Sequence, residues 1–315
     1  MSASAWVKVA LERLNCSQKE LAMRLGVSPS QITKWKADEY MSLEMEMKFE
    51  ELTGITDQFP DFVLLAGSKT SSEKWARLIL FLADFAAEQA ETGYDTWPLQ
   101  EEPKLLCWNT FHTLSQMGVS IPGKFPEELV RILDEDCNDG DFETSIENFF
   151  ASIILKIFKS LNDVYAFYAA YVAELTDDDE VLETGLEIEA CLMSLAATKI
   201  EVSTDAAPKF RNFTRDVRKD YERWLRQVQE AALSSGKPIR AEIMDLIDED
   251  HGSLGFDAEA ESLGVNKNRL HPDIYMNELL VGMRAIHQVL PAIIKKLDIS
   301  EHELAFDRTQ LVRGH

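Results

Sequence analysis

Five cations, Arg211, Arg215, Arg218, Lys219 and Arg226, form one stripe when residues 206–234 are wound as a helix of about 100° per residue. Phe210, Phe213, Val217, Tyr221, Trp224, Leu225 and Val228 fall on the adjoining face. Guanidinium and ammonium groups spaced along a helix can track phosphates, which is the chemistry of an auxiliary nucleic-acid contact. The same stripe also suits a contact with acidic segments of this chain or of another copy. A third reading is a solvated face laced with i,i+4 ion pairs. The sequence leaves all three open.

Other chemistry finds little support. The chain has no G-x-S-x-G elbow, no Walker A lysine loop, no H-E-x-x-H and no dinucleotide fingerprint. Its six histidines lack metal-ligand spacing. The run from Asp134 to Gly140 misses the calcium-loop register, because Gly140 stands seventh where the loop needs a sixth-position glycine. Cys16, Cys107, Cys137 and Cys191 are far apart and read as buried thiols in a reducing cytosol. The expectation is a protein without catalytic residues, metal or cofactor.

The elements that must position these groups are helical. Glycine (14) and proline (10) are sparse in 315 residues, and strand-like alternation is nearly absent. Apolar spacing predicts helices over 3–14, from Ser17, from Ser28 and over 42–52. After a linker at Ala66 to Ser72, helices are expected from Ser71, capped by Thr70 with Glu73, to 91, and then over 103–117, 125–135, 142–174, 178–198, 206–234, 238–248 and 272–297. The last segment, with Ile274, Leu279, Leu280, Met283, Ile286, Leu290, Ile293 and Ile294, is either a core helix or an interface. No stretch is apolar for the length of a membrane span, and no secretory leader is expected.

Residues 17–36 carry the most specific pattern. Ser17 and Glu20 make a capping box, Gly26 suits a left-handed turn, and Ser28 with Pro29 opens the next helix. Small Ala22 marks a helix crossing, and Leu21, Leu25, Val27, Ile32 and Trp35 lock two helices at a fixed angle. The segment resembles the Cro/CI-type helix-turn-helix family over about fifty residues. That resemblance implies that the second helix enters the major groove. It implies base contacts from Pro29, Ser30, Thr33 and Lys34, and phosphate contacts from Gln18, with Lys19 and Lys36 adding to them.

The resulting expectation is an all-α protein with a helix-turn-helix domain at 1–66 and an acidic helical-bundle domain at 67–315. Seven basic and nine acidic residues in 1–57 leave the reading module near −2, and the whole chain carries −23. A module so poor in positive charge calls for two copies on DNA. The resemblance implies a cytoplasmic regulator of bacterial or phage origin, a repressor or antitoxin-like protein that binds double-stranded DNA as a homodimer. The alternative is that the acidic domain is the active part. It would then bind a basic protein partner in a phage-defence, counter-defence or toxin–antitoxin system.

Overall fold

The computed structural model describes residues 2–100, 102–133, 139–176, 192–234, 239–265 and 272–297. Among the described residues every regular element is a helix, as the sequence predicts. The chain forms two compact units, Met1–Leu263 and Gly264–His315. The first unit holds two hydrophobic cores.

The smaller core is enclosed by α1 (Ala3–Leu14), α2 (Gln18–Leu25), α3 (Pro29–Lys36), α4 (Leu43–Thr53) and the first-core side of α5 (Pro60–Leu65). Local signals set these boundaries. The Ser17 hydroxyl accepts from the Glu20 amide at 3.3 Å, and the Glu20 carboxylate accepts from the Ser17 amide at 2.7 Å. Gly26 closes α2 at φ 70°, a backbone state that costs glycine little. Ser28 then caps α3, with Pro29 at a position that needs no amide donor.

Helix α5 is shared between the two cores. Val63 lies in the first and Phe62 in the second, where its ring stands 4.6 Å from that of Phe111. Ala66, the last residue of the expected reading module, is buried in the second core. Gly67 follows at φ 82°, and a Cβ there would collide with the backbone of Gly123. The stretch expected as a linker is therefore packed against the second core at Ala66, Ser71 and Ser72, with Gly67 held close to Gly123.

The larger core is built around α9 (Phe149–Tyr171), which is apolar on nearly all sides. Against it lie α6 (Lys69–Glu88), α11 (Met193–Ala197) and α14 (His251–Ser262), with α7 (Pro103–Met117), α8 (Asp139–Ile146), α10 (Ala173–Thr176), α12 (Phe210–Ser234) and α13 (Asp245–Asp248) completing the body. Buried Asn162 of α9 donates to the Ala86 carbonyl at 2.7 Å and accepts from Thr96 at 2.7 Å, so its amide side chain is tied at both ends.

Several boundaries differ from the sequence expectation. Helix α6 starts at Lys69, because Ser68 accepts from the Ser71 amide and supplants the Thr70 cap. Where a helix is expected over 125–135, the described residues up to 133 form two short 3-10 turns, Glu127–Leu129 and Arg131–Leu133. The long helix expected over 142–174 is broken where Asn148 caps α9 by accepting from Phe150. The helix expected over 238–248 is, in its described part from residue 239, a 3-10 turn, Ala241–Met244, followed by α13. Helix α14 is an addition. The calcium-like run at 134–138 and the acidic run at 177–191 lie outside the described residues. The second unit contributes α15 (Pro272–Leu297).

Candidate nucleic-acid interface

Helix α3 has two faces. Ile32 and Trp35 point into the first core, while Pro29, Ser30, Thr33, Lys34 and Lys36 are exposed. Spacings of i, i+1, i+4 and i+5 put Pro29, Ser30, Thr33 and Lys34 on one side of the helix. The four residues expected to meet base edges are thus presented together to solvent. Lys19 is exposed at the start of α2 and Gln18 is half-buried beside it.

The buried face fixes the angle of the exposed one. The Trp35 ring lies edge-on to Phe49 of α4 at 5.9 Å, and Phe49 packs on Trp6 of α1 at 6.1 Å. The Trp35 indole N–H donates to the Tyr40 carbonyl at 3.2 Å, which ties the helix to the turn that follows it. Asp38 takes the left-handed conformation at φ 65° and so ends α3. Its carboxylate accepts from the Ser4 amide at 3.1 Å and from the Ser2 hydroxyl at 2.9 Å. These bonds at the start of α1 hold the Asp38 carboxyl below its usual range. Sequence reasoning missed Phe49 and Asp38. Phe49 had a signal, since it is an aromatic residue on the apolar side of a predicted helix. Asp38 had none, because its partners lie more than thirty positions away.

The polar groups of α3 differ in their freedom. The Ser30 and Ser28 hydroxyls are 2.8 Å apart. The Thr33 hydroxyl donates back to the Pro29 carbonyl at 3.2 Å, leaving its oxygen lone pairs and methyl facing outward. Lys34 stands 3.9 Å from Glu39, and both side chains are 56% exposed, so this contact is weak and easily exchanged for a phosphate or a base.

The second basic feature sits on α12. Phe213, Tyr221, Trp224, Leu225 and Val228 are buried as their spacing predicts. Arg211, Arg215, Lys219 and Arg226 are exposed. Arg215 pairs with Asp216 at 3.1 Å, and Arg226 approaches Glu222 at 4.0 Å. Arg218 is half-buried and reaches Asp248 of α13 at 2.7 Å. Nearby, Lys199 donates to the carbonyls of Ile247 and Glu249. Burial, with Arg218 alongside, pushes the Lys199 ammonium down to about 8. The α12 stripe is thus drawn partly into the fold, against the acidic segment that begins at Glu242.

A DNA-reading helix needs an exposed polar face, a rigid opposite face and a preceding helix crossing it at a fixed angle. Helices α2 and α3 have all three. Residues 7–56 match the helix-turn-helix family. The match spans α2 and α3 entire, most of α1 and all of α4, and ends just before α5. The chain carries a DNA-binding helix-turn-helix domain at its N-terminal end. No curated protein and no solved structure matches the chain. Among the described residues, no group of three or more histidine, cysteine or carboxylate side chains could hold a metal ion, and no helix is long and apolar enough to cross a membrane.

Proposed function

We propose that this protein is a sequence-specific transcriptional regulator of the cytoplasm, a repressor or antitoxin-like protein of bacterial or phage type, that reads its operator with α3 as a homodimer. The observation that carries the reading is the exposed set Pro29, Ser30, Thr33 and Lys34, held by Trp35 on the opposite side of the same short helix. Thr33 and Lys34 contact bases, Pro29 offers an apolar surface to a thymine methyl, and Gln18, Lys19 and Lys36 fix the register on phosphate. The near-neutral module favours two copies, because each contributes few phosphate contacts. The reading assigns the protein no catalytic step.

The test is binding to DNA from upstream of its own gene across a salt series. Specific affinity should fall steeply with salt. Thr33→Ala with Lys34→Ala should weaken specific binding by roughly 1–3 kcal/mol, about five- to 150-fold in Kd. Unchanged operator binding by that variant would remove α3 as the reading helix.

A second reading, an acidic module that binds a basic protein, is favoured by one recess. Asp245, Glu249 and Asp257 line it beside Phe256, which is 70% exposed. Burial, reinforced by neighbouring carboxylates, holds Asp245 and Asp257 above their usual range, so a cation entering there would relieve repulsion. Recovery of one stoichiometric basic protein and no DNA from cells would favour this second reading.

A further inference from the structure

Helix α15 presents Met283, Ile286, Val289, Leu290, Ile293 and Leu297 to solvent, each 42–65% exposed. It is the one described helix of its unit, and among the described residues nothing covers this face. The spacing 283, 286, 290, 293, 297 alternates three and four. That is a heptad repeat with Met283, Leu290 and Leu297 at a and with Ile286 and Ile293 at d. The residue types at 276 and 279, Met and Leu, carry the same sequence spacing back one heptad. A sustained 3.5-residue period suits packing along another helix of matching pitch, whereas a single globular surface asks for 3.6.

We propose that α15 joins four copies of this chain in a four-stranded helical bundle. The proposal rests on the regulator reading and goes beyond its homodimer: four copies would supply two such pairs of reading modules. In parallel coiled coils, Leu at a with Ile at d shifts the preference from two strands towards three or four, and of these only four lets the reading modules associate in pairs. The flanking positions agree. Val289 at g and Ile294 at e widen the apolar stripe beyond the a/d seam, so each helix must touch two neighbours to cover it. Selective pairing with a different protein is commonly written in e and g charges. Here these positions hold His287, Val289, Ile294 and Lys296, with no acidic residue anywhere from 279 to 297, so no opposite-charge code selects a foreign helix. Arg284, Gln288 and Lys295 stand at b and f on the outer side, and Pro291 at b is also turned away from the seam.

Sedimentation equilibrium of the full-length protein without DNA tests this, and it is independent of whether α3 reads an operator. At micromolar concentration the wild type should have a mass of about 143 kDa, four times the 35.7 kDa chain. Ile286→Asp with Ile293→Asp should abolish that species and leave the thermal melt of residues 1–263 in place. Gln288→Asp, on the outer side, should remain tetrameric. A wild-type monomer overturns the proposal, and assigns the apolar face to another occupant. A wild-type dimer or trimer overturns the four-stranded packing. A tetramer that survives the double substitution overturns the role of α15.

Discussion

Phe49→Ala is the sharpest test of how α3 is held, because Phe49 is fully buried in the reading module and is far from the exposed face of α3 in chemical terms. Its ring touches both tryptophans that flank the helix crossing, at 6.1 Å and 5.9 Å. Truncating a core phenylalanine costs about 3–5 kcal/mol through lost transfer energy and the cavity left behind. The first core contains only 14 buried apolar residues, so a loss of that size is a large share of what holds the module together. Each aromatic pair contributes about 0.5–1.5 kcal/mol beyond the area it buries. Phe49→Leu restores most of the volume without the two ring pairs, and should therefore cost about 1–3 kcal/mol. Hydrogen exchange read by mass spectrometry over α2, α3 and α4 measures these losses locally, without interference from the body. DNA affinity should fall in the same order and recover in part on moderate cooling, since the variant removes folded module and no contact with DNA. If Phe49→Ala loosens α3 by less than about 1 kcal/mol, or if leucine costs as much as alanine, ring packing does not set the angle of the reading helix.

Two further outcomes follow from buried titratable groups. His251 Nδ1 lies 2.6 Å from Asp163 Oδ2, and this hydrogen bond holds the imidazolium above its usual 6.5, helped by Asp250 and opposed by partial burial and Lys199. A raised folded-state value means that the pair's contribution is complete below pH 6.5 and is lost as pH rises through the folded value, so the stability difference between wild type and Asp163→Asn should shrink on alkalinisation. A His251 titration by NMR at or below its ordinary value in the wild type would refute this. Burial pushes the Cys107 thiol up to about 12, whereas Cys16 is half-buried. Peptide mapping after alkylation of the native protein should therefore find Cys16 modified and Cys107 spared, and equal labelling would contradict the packing around α7.

The most local features were the most legible. Ser17 with Glu20, Gly26 and Ser28 with Pro29 each act over three or four positions, and they mark both ends of α2 and the start of α3 to the residue. Competing local signals were harder to rank: Thr70 with Glu73 has the form of a cap, yet Ser68 captures the helix start two residues earlier. Helix α14 went unread because Gly252 and Gly255 lower its propensity. Its reason is tertiary, since a Cβ at Gly255 would collide with Asp163 of α9, and the glycine lets the two helices approach. The α12 stripe shows the same limit. Its register was visible in the sequence, but the Arg218 partner, Asp248, is thirty residues away and depends on the fold of the body.

Helix α5 has a consequence for how such proteins can be rearranged. Six residues long, it gives Val63 to one core and Phe62 to the other. A reading head cut out at residue 66 would leave with Phe62 and Ala66 stripped of their neighbours, and the body left behind would have a hole beside Phe111. A cut before Pro60, nearer to where the family resemblance stops at residue 56, would instead take Val63 from the first core, so no joint on either side of α5 keeps both pieces whole. The helix works like a dowel set into both blocks: a head can be swapped for another only if the new one accepts Val63 where the old one did.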